Sequence, residues 1–362
     1  VCANCHGNGQ QVRGRFNLTT FRTMVRGGDS GPPWVPGKSD NSLLLKKLKG
    51  TADGQRMPVG RPPLSDEQIE KFAKWIDEGA TYDAADVNQN VTEVAAVAKA
   101  KLATHAELCA DRAVLAAKNW RLVMPDHAAD QLETKDFLVL GNVGDAYLED
   151  YAKLADSLVP RVRKLFRASS SDPVVKGRMT MYFFDRKYDY GEFGQMVEKR
   201  SLPLSWRSHW RFSTVDAYGV TCPPDDDRDA LAAMLAEQIA GVYIASCGTS
   251  PSWFSHGTAR AATAKLFPGD DRVRSWTAML PEVKSHLKKA DDFLTGNLGP
   301  EELTVAEYSF AAMLMGDSRR FNRLLGSLRE GTPFDNAFRQ AYGDTPAKIA
   351  EIWAARTIRR RR

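Results

Sequence analysis

The residues best suited to chemistry stand at positions 2 to 6, which read Cys-Ala-Asn-Cys-His. Two cysteines at this spacing, followed directly by histidine, are typical of covalent haem attachment: Cys2 and Cys5 would form thioethers, and His6 would bind the iron. A zinc site would need a second ligand pair, and no other Cys-x-x-Cys occurs in the sequence. A thioredoxin-like redox pair would be expected between a strand and a helix, and no strand pattern precedes Cys2. The pentad therefore predicts one covalently bound haem c.

Met57 is the candidate for the second axial ligand of this iron. It lies in a loop rich in glycine and proline, residues 54–63, ahead of a helix that a capping box at Ser65 predicts. A methionine in a loop without apolar periodicity is not expected in a core, whereas Met24 lies in a helical stretch and is predicted to pack there. Ligation by His6 and Met57 would close the iron to external ligands and favour electron transfer over peroxidase or oxygen chemistry.

Short motifs follow one another through the first part of the chain, at residues 2–7, 27–32, 35–37, 42–44, 56–58, 64–69 and 75–80. In this order they resemble the planctomycete-type cytochrome c domain over residues 1–82. The resemblance implies a small all-α, class I-like cytochrome c domain with His6 and Met57 as axial ligands. The family has a helix ahead of its first cysteine, so we expect that helix to be missing before Val1.

Composition limits the compartment and the partners. A chain of 362 residues, 43% of them apolar, is long enough for roughly two or three domains with cores of their own. Haem c is attached outside the cytoplasm, so a periplasmic or extracellular location is predicted, where a Cys222–Cys247 disulfide stays an open question. The predicted compartment argues against nucleic acid as a partner. The sequence contains no run of about eighteen apolar residues, so we predict no transmembrane segment in it. Residues 1–80 hold 12 Lys and Arg against 8 Asp and Glu, which favours an acidic redox partner protein.

Changes in composition divide the chain into four predicted parts. After the haem-binding part, a stretch poor in aromatic residues leads into one long alanine-rich helix, predicted over 92–120. His105 and Cys109 lie four positions apart on that helix, a spacing found at metal sites, but no third ligand accompanies them and we predict surface and core roles. The four parts are 1–82, 83–120, 121–358 and a basic tail at 359–362.

Residues 121–358 are predicted to form an α+β, mostly helical domain. Apolar runs at 137–141 and 178–184 predict buried strands on either side of an amphipathic helix at 145–166. From residue 226 onward the pattern is nearly all helical. Strands that come first and helices that come later indicate an α+β fold.

Two consecutive helical segments of this domain carry a second resemblance. The first, residues 231–246, contains Leu-Ala-Glu-Gln-Ile-Ala-Gly, and the second opens with Trp-Phe-Ser-His-Gly from Trp253. With the strand–helix–strand segment ahead of it, this layout over residues 137–265 resembles the gluzincin metallopeptidases known as peptidase MA-like. In that family one helix carries His-Glu-x-x-His, and the next supplies a glutamate as the third zinc ligand.

Carried over position by position, the resemblance implies a degenerate metal site. Ala236 and Ala240 stand where the family has its histidine ligands, and His256 stands where it has the glutamate ligand. Only Glu237, at the position of the general base, keeps the family's residue. A catalytic zinc needs three protein ligands, and an alanine methyl group has no electron pair to donate. We therefore predict a non-catalytic domain without zinc, in which Glu237 and His256 form an ion pair or hydrogen bond.

Together these observations predict an extracytoplasmic mono-haem c-type cytochrome that relays single electrons, with a pseudo-metallopeptidase domain as scaffold or docking surface. Two other classes of function stay open. One is an interaction subunit of a larger respiratory or filamentous assembly. The other is an enzyme, either a haem peroxidase or an active metallopeptidase.

Overall fold

The chain divides into two units between residues 102 and 103. The computed structural model describes residues 2–7, 12–84, 86–169 and 172–358. Contacts separate a smaller unit, residues 1–102, from a larger unit, residues 103–362. The basic tail predicted at 359–362 lies outside the described residues.

The described part of the smaller unit consists of helices and loops around one apolar cluster. Trp34, Leu45, Leu48, Ile69 and Ile76 are buried in this cluster, and Met57 packs against it. The predicted capping box is confirmed, because the Ser65 hydroxyl accepts a hydrogen bond from the backbone of Gln68 and the Gln68 side chain accepts one from the backbone of Ser65. The helices are α1 (Ala3–His6), α2 (Phe21–Arg26), α3 (Leu43–Lys49), α4 (Asp66–Asp77) and α5 (Val91–Leu102).

The single long helix predicted over 92–120 is wrong. The chain instead breaks after α5, and α6 (His105–Val123) begins the larger unit. Thr104 caps the new helix: its hydroxyl accepts from the backbone of Glu107 at 3.2 Å, and the Glu107 carboxylate accepts from the backbone of Thr104 at 2.7 Å. This reciprocal box satisfies backbone donors that a helix start leaves open, and so stabilises a break at this point.

A five-stranded mixed sheet forms the framework of the larger unit. Its strands lie in the order β1-β2-β3-β5-β4; the inner three are parallel to one another, and β1 and β4 run antiparallel at the two edges. The predicted strands at 137–141 and 178–184 are confirmed, whereas the edge strand β1 was not predicted. The strands are β1 (Asp130–Glu133), β2 (Phe137–Gly141), β3 (Met179–Phe183), β4 (Ser208–Phe212) and β5 (Ala217–Thr221).

Helices cover both faces of this sheet, which is why β2, β3 and β5 are buried along their whole length. On one face lie α7 (Asp145–Phe166), confirming the helix predicted there, and α9 (Arg228–Ser246). On the other face lie α6 and α8 (Lys187–Met196), the second of which was not predicted. The cysteines Cys222 and Cys247 belong to the clusters on opposite faces and are both free thiols, since the sheet lies between them.

The rest of the larger unit is helical, as predicted for the chain beyond residue 226. The helix α10 packs closely against both α9 and α12, so this helical layer continues the core on one face of the sheet. None of the described helices combines the length and apolarity needed to cross a bilayer. The helices are α10 (Ser252–Leu266), α11 (Asp271–His286), α12 (Pro300–Gly316), α13 (Ser318–Arg329), α14 (Phe334–Tyr342) and α15 (Pro346–Ile358).

Candidate functional site

A cavity of about 460 Å³ lies in the smaller unit. Cys2, Cys5, His6 and Met57, the four residues predicted to hold haem, all border it. Its volume is in the usual range of small-molecule and cofactor sites. The remaining wall is mainly apolar and includes Phe16, Leu18, Met24, Trp34, Leu44, Leu48, Phe72 and Val91.

The short helix α1 brings the pentad to one side of this cavity. The backbone of His6 donates to the Cys2 carbonyl at 3.0 Å, which closes a helical turn. The imidazole Nδ1 of His6 lies 3.1 Å from the carbonyl oxygen of Phe16. A carbonyl only accepts hydrogen bonds, so Nδ1 must carry the proton of the neutral ring. The Nε2 lone pair is then free to bind a metal, and the hydrogen bond at Nδ1 fixes the orientation of the ring.

The loop that contains Met57 is tied to the C-terminal turn of α3. The backbone of Met57 donates to the Lys47 carbonyl at 3.0 Å, and Arg56 Nε donates to the Leu48 carbonyl at 2.8 Å. These two carbonyls belong to the last turn of the helix, where no intrahelical donor is available. The loop is therefore held beside Leu48, which borders the same cavity and is buried.

A second methionine, Met24, also borders the cavity. It lies on α2 and packs against the apolar cluster, as predicted, but it is one of two thioethers in the cavity wall. Neither its helical position nor its spacing distinguishes a core methionine from one that faces a cofactor.

Basic side chains border the cavity as well. Arg13 and Arg61 are exposed, and Lys47 is partly buried. One carboxylate, Asp29, also borders the cavity, and it forms an ion pair with Arg15. The excess of positive charge at this rim suits the carboxylates that a haem carries, since guanidinium and ammonium groups form charge-assisted hydrogen bonds with them.

The residues of this cavity fit haem c. The cysteines are free thiols, the imidazole presents an unprotonated nitrogen, and a thioether borders the same space. This donor set, one histidine and one methionine beside a Cys-x-x-Cys pair, is the one that c-type cytochromes use. The apolar walls would surround a macrocycle, and the basic rim would face its carboxylates.

In the larger unit, the two alanines that the resemblance aligns with zinc ligands are completely buried. Ala236 and Ala240 belong to the core on the face of α7 and α9. They occupy space in that core and offer no donor atom. Among the described residues, no group of three or more His, Cys, Asp or Glu is arranged to hold a metal ion.

Glu237 is held by arginine side chains. Arg272 donates to its carboxylate at 2.8 Å, and Arg260 lies 3.9 Å away. Each arginine has a further acidic partner: Arg272 pairs with Asp270 at 3.1 Å, and Arg260 pairs with Glu307 at 2.6 Å. Arg272 therefore occupies a carboxylate oxygen of Glu237 by hydrogen bonding, and both guanidinium groups place positive charge beside it.

His256 packs on an aromatic side chain instead of pairing with Glu237. Its ring lies 4.5 Å from that of Trp210, centroid to centroid. Burial, together with the nearby charges of Arg260 and Arg200, lowers the pKa of His256 to about 3, so the ring is neutral at neutral pH. The predicted ion pair or hydrogen bond between Glu237 and His256 is wrong for the described residues, in which Glu237 pairs with Arg272 and Arg260.

A buried polar cluster on the other face of the sheet was not predicted. The Glu198 carboxylate accepts from Tyr218 at 2.7 Å, from Arg200 at 2.7 Å and from His209 Nε2 at 3.2 Å, while Tyr190 lies 2.9 Å from His209 Nδ1. Burial alone would raise the pKa of Glu198, but these hydrogen bonds lower it to about 2. Burial also lowers the pKa of His209. The five side chains come from α8, β4, β5 and the loop between α8 and β4, so no single sequence spacing could have identified the cluster.

The surroundings of His105 and Cys109, the pair at metal-ligand spacing, indicate structural roles for both residues. His105 Nδ1 accepts a hydrogen bond from the backbone of Gly177 at 3.1 Å. Burial raises the pKa of the Cys109 thiol, which keeps it protonated and a weak ligand.

Comparison with known proteins concerns the first part of the chain. No curated protein matches this chain. The match with a protein family covers residues 2–59, which include both cysteines, His6 and Met57, and does not extend into the larger unit. In this region the chain is similar to the family described as planctomycete cytochrome C.

Proposed function

We propose that this protein is an extracytoplasmic c-type cytochrome with a single haem that relays electrons one at a time. One observation carries the proposal: the cavity bordered by Cys2, Cys5 and His6 is also bordered by Met57, which lies 51 positions after His6 in the sequence. The similarity of residues 2–59 to planctomycete cytochrome C supports a cytochrome role independently.

The chain's own residues would hold the group and determine how it behaves. A bound haem c would supply an iron that gains and loses one electron. The hydrogen bond from His6 Nδ1 to Phe16 would orient the imidazole and strengthen Nε2 as a donor. Met57, which borders the same cavity, would supply a thioether as the second donor; a His/Met pair would leave no position for an external ligand and would raise the reduction potential relative to two histidines. Both effects favour electron transfer over peroxidase activity.

The rim of the cavity would receive an acidic redox partner. Arg13 and Arg61 border the cavity and are exposed, as are the apolar residues Val59 and Phe72. Positive charge around a small apolar area steers a negatively charged protein to the site and leaves an apolar contact at its centre. The rate of electron transfer to such a partner should fall as ionic strength rises.

The larger unit would act as a non-catalytic scaffold or docking surface with a peptidase-like layout. Ala236 and Ala240 are core residues without donor atoms, and Glu237 is neutralised by Arg260 and Arg272. Metal-dependent proteolysis would require both the missing ligands and a carboxylate free to act as base. This arrangement supports a scaffold role over proteolysis.

The axial ligand is tested by comparing Met57→Ala with Met24→Ala, a matched change in the same cavity wall. We expect Met57→Ala to abolish the far-red sulfur-to-iron absorption band and to open the iron to added imidazole, while Met24→Ala keeps the band. An unchanged spectrum in Met57→Ala, with loss of the band in Met24→Ala, would assign the ligand to Met24. A band that persists in both variants would contradict the assignment of Met57 and would exclude Met24 as well.

Metal content separates the proposed relay from the enzyme alternatives. We expect one iron and no zinc per chain in protein purified with its haem. Stoichiometric zinc would contradict a degenerate metal site and would restore the metallopeptidase hypothesis.

A further inference from the structure

The loop between α8 and β4, residues 197–207, exposes apolar side chains that a folded core would normally bury. Leu204 is 94% exposed and Trp206 is 37% exposed, and Met196 at the end of α8 is 37% exposed. Single exposed apolar residues are common, but several on one short segment indicate an interaction surface. We call residues 196–211 the Leu204 surface.

The Leu204 surface is strongly basic. Residues 199–211 contain four cations, Lys199, Arg200, Arg207 and Arg211, and no aspartate or glutamate. The carboxylate next to them in sequence, Glu198, has a completely buried side chain. It binds Arg200 and lies 4.0 Å from Arg211. The charge that reaches solvent here is therefore positive.

Interactions beneath the loop hold it in one conformation. Arg200 donates to Glu198 at 2.7 Å, and its guanidinium lies 5.7 Å from the centre of the Trp206 ring. The backbone of Arg200 donates to the Gly194 carbonyl and that of Trp206 donates to the Pro203 carbonyl, both at 3.0 Å. Leu204 is thus presented by a preorganised loop, so binding would require little further ordering.

We propose that the Leu204 surface docks the protein onto an anionic phospholipid surface. Leu204 and Trp206 would enter the headgroup region, and Lys199 and Arg211 would face the lipid phosphates. Leucine and tryptophan beside lysine and arginine are typical of segments that lie in a membrane interface. The positive charge of the exposed side chains complements the phosphates of anionic lipid headgroups, and the exposed Leu204 would add apolar insertion.

This role goes beyond electron relay, because it would keep the protein at a membrane surface while the haem-binding unit exchanges electrons. None of the described helices is long and apolar enough to cross a bilayer. Attachment through the Leu204 surface itself would be peripheral. Binding of this kind depends on both apolar insertion and charge, and each contribution can be removed separately.

The test is cosedimentation of the full haem-containing chain with vesicles of phosphatidylcholine alone or with phosphatidylglycerol added. We expect binding only to the anionic vesicles, weakened by salt. Leu204→Ser should reduce the partition coefficient about tenfold, since it removes most of a leucine's transfer free energy. The matched control is Leu102→Ser, which changes a leucine that is 88% exposed and lies outside the surface; it should leave binding unchanged.

The charge contribution is tested by the double variant Lys199→Gln with Arg211→Gln. Each lost cation should weaken binding to anionic vesicles about fivefold. Circular dichroism checks that each variant is folded. Equal effects of Leu204→Ser and Leu102→Ser, or binding that survives both the apolar and the charge variants, would overturn the proposal. Retention on immobilised polyglutamate without binding to vesicles would also overturn it and identify an acidic protein as the partner.

Discussion

Replacing Glu198 by glutamine tests the buried cluster that underlies the Leu204 surface. Its side chain has no solvent exposure and accepts from Tyr218, Arg200 and His209. Glutamine keeps the shape of the glutamate side chain but removes its negative charge. Its NH2 group would also face one of the three hydrogen-bond donors that the carboxylate now accepts from. Because the pKa of Glu198 falls from 4.5 to about 2, we expect a loss of about 3 kcal/mol in the free energy of unfolding. Losses of about 3–5 kcal/mol are typical when one partner of a buried pair is removed.

The dependence on pH follows from the direction of the shift. A carboxyl group whose pKa is lower in the folded state stabilises the fold above its unfolded pKa and loses that contribution as pH falls through the folded value. The difference between the wild type and Glu198→Gln should be complete above about pH 4.5 and should disappear as the pH approaches 2.

Urea unfolding at several pH values, followed by near-ultraviolet circular dichroism, measures this difference, while haem absorbance follows the smaller unit separately. Glu282→Gln is the matched control, since Glu282 is exposed on α11, and it should change the stability by less than about 0.5 kcal/mol. A loss below about 1 kcal/mol for Glu198→Gln, which is typical of surface pairs, would refute the reasoning. A loss that stays constant down to low pH would also refute it.

Three further changes test other parts of the molecule. Cys5→Ser should leave haem attached through Cys2 alone, and the double variant should release it into acidified organic solvent; haem that resists extraction from the double variant would exclude the two thioethers. Gly241→Ala would place a Cβ 2.2 Å from Trp210 and should lower the free energy of unfolding by about 1–3 kcal/mol, measured by urea unfolding. Gly191→Ala, where a Cβ meets no atom within 4 Å, should be neutral or slightly stabilising, and equal losses would contradict the packing argument. Metal-free protein dialysed against zinc should retain none at stoichiometric level, as elemental analysis would show.

Short-range signals predicted much of the local structure. The helix start at Ser65 and the strand at residues 137–141 are confirmed because each depends on neighbouring residues: a reciprocal hydrogen bond in one case and a continuous apolar run in the other. The break before α6 has a comparable signal, since Thr104 and Glu107 are spaced as a capping box. It was missed because the apolar pattern continues across it, and periodicity does not show where a helix is interrupted.

Contacts between distant residues could not be predicted in the same way. Arg272, which binds Glu237, lies 35 residues away in the sequence, and the residues around Glu237 say nothing about which side chain pairs with it. The Glu198 cluster likewise combines residues from α8, β4, β5 and the loop between α8 and β4. Pairings of this kind depend on how the sheet and helices pack, and they produce no recognisable pattern among residues that are neighbours in the sequence.

By itself, the sequence determined the donor atoms, namely the thiols and the imidazole of the pentad and the thioether of Met57, and it determined that positions 236 and 240 carry only methyl groups. These are properties of side chains, and they hold in any fold. Only the tertiary structure decided which of these atoms meet. His6 and Met57 border one cavity in the folded chain, and Met24 borders it too. Glu237 pairs with arginines, and His256 packs against Trp210. The physical reason is that chemistry resides in single residues, whereas proximity depends on the packing of the whole chain.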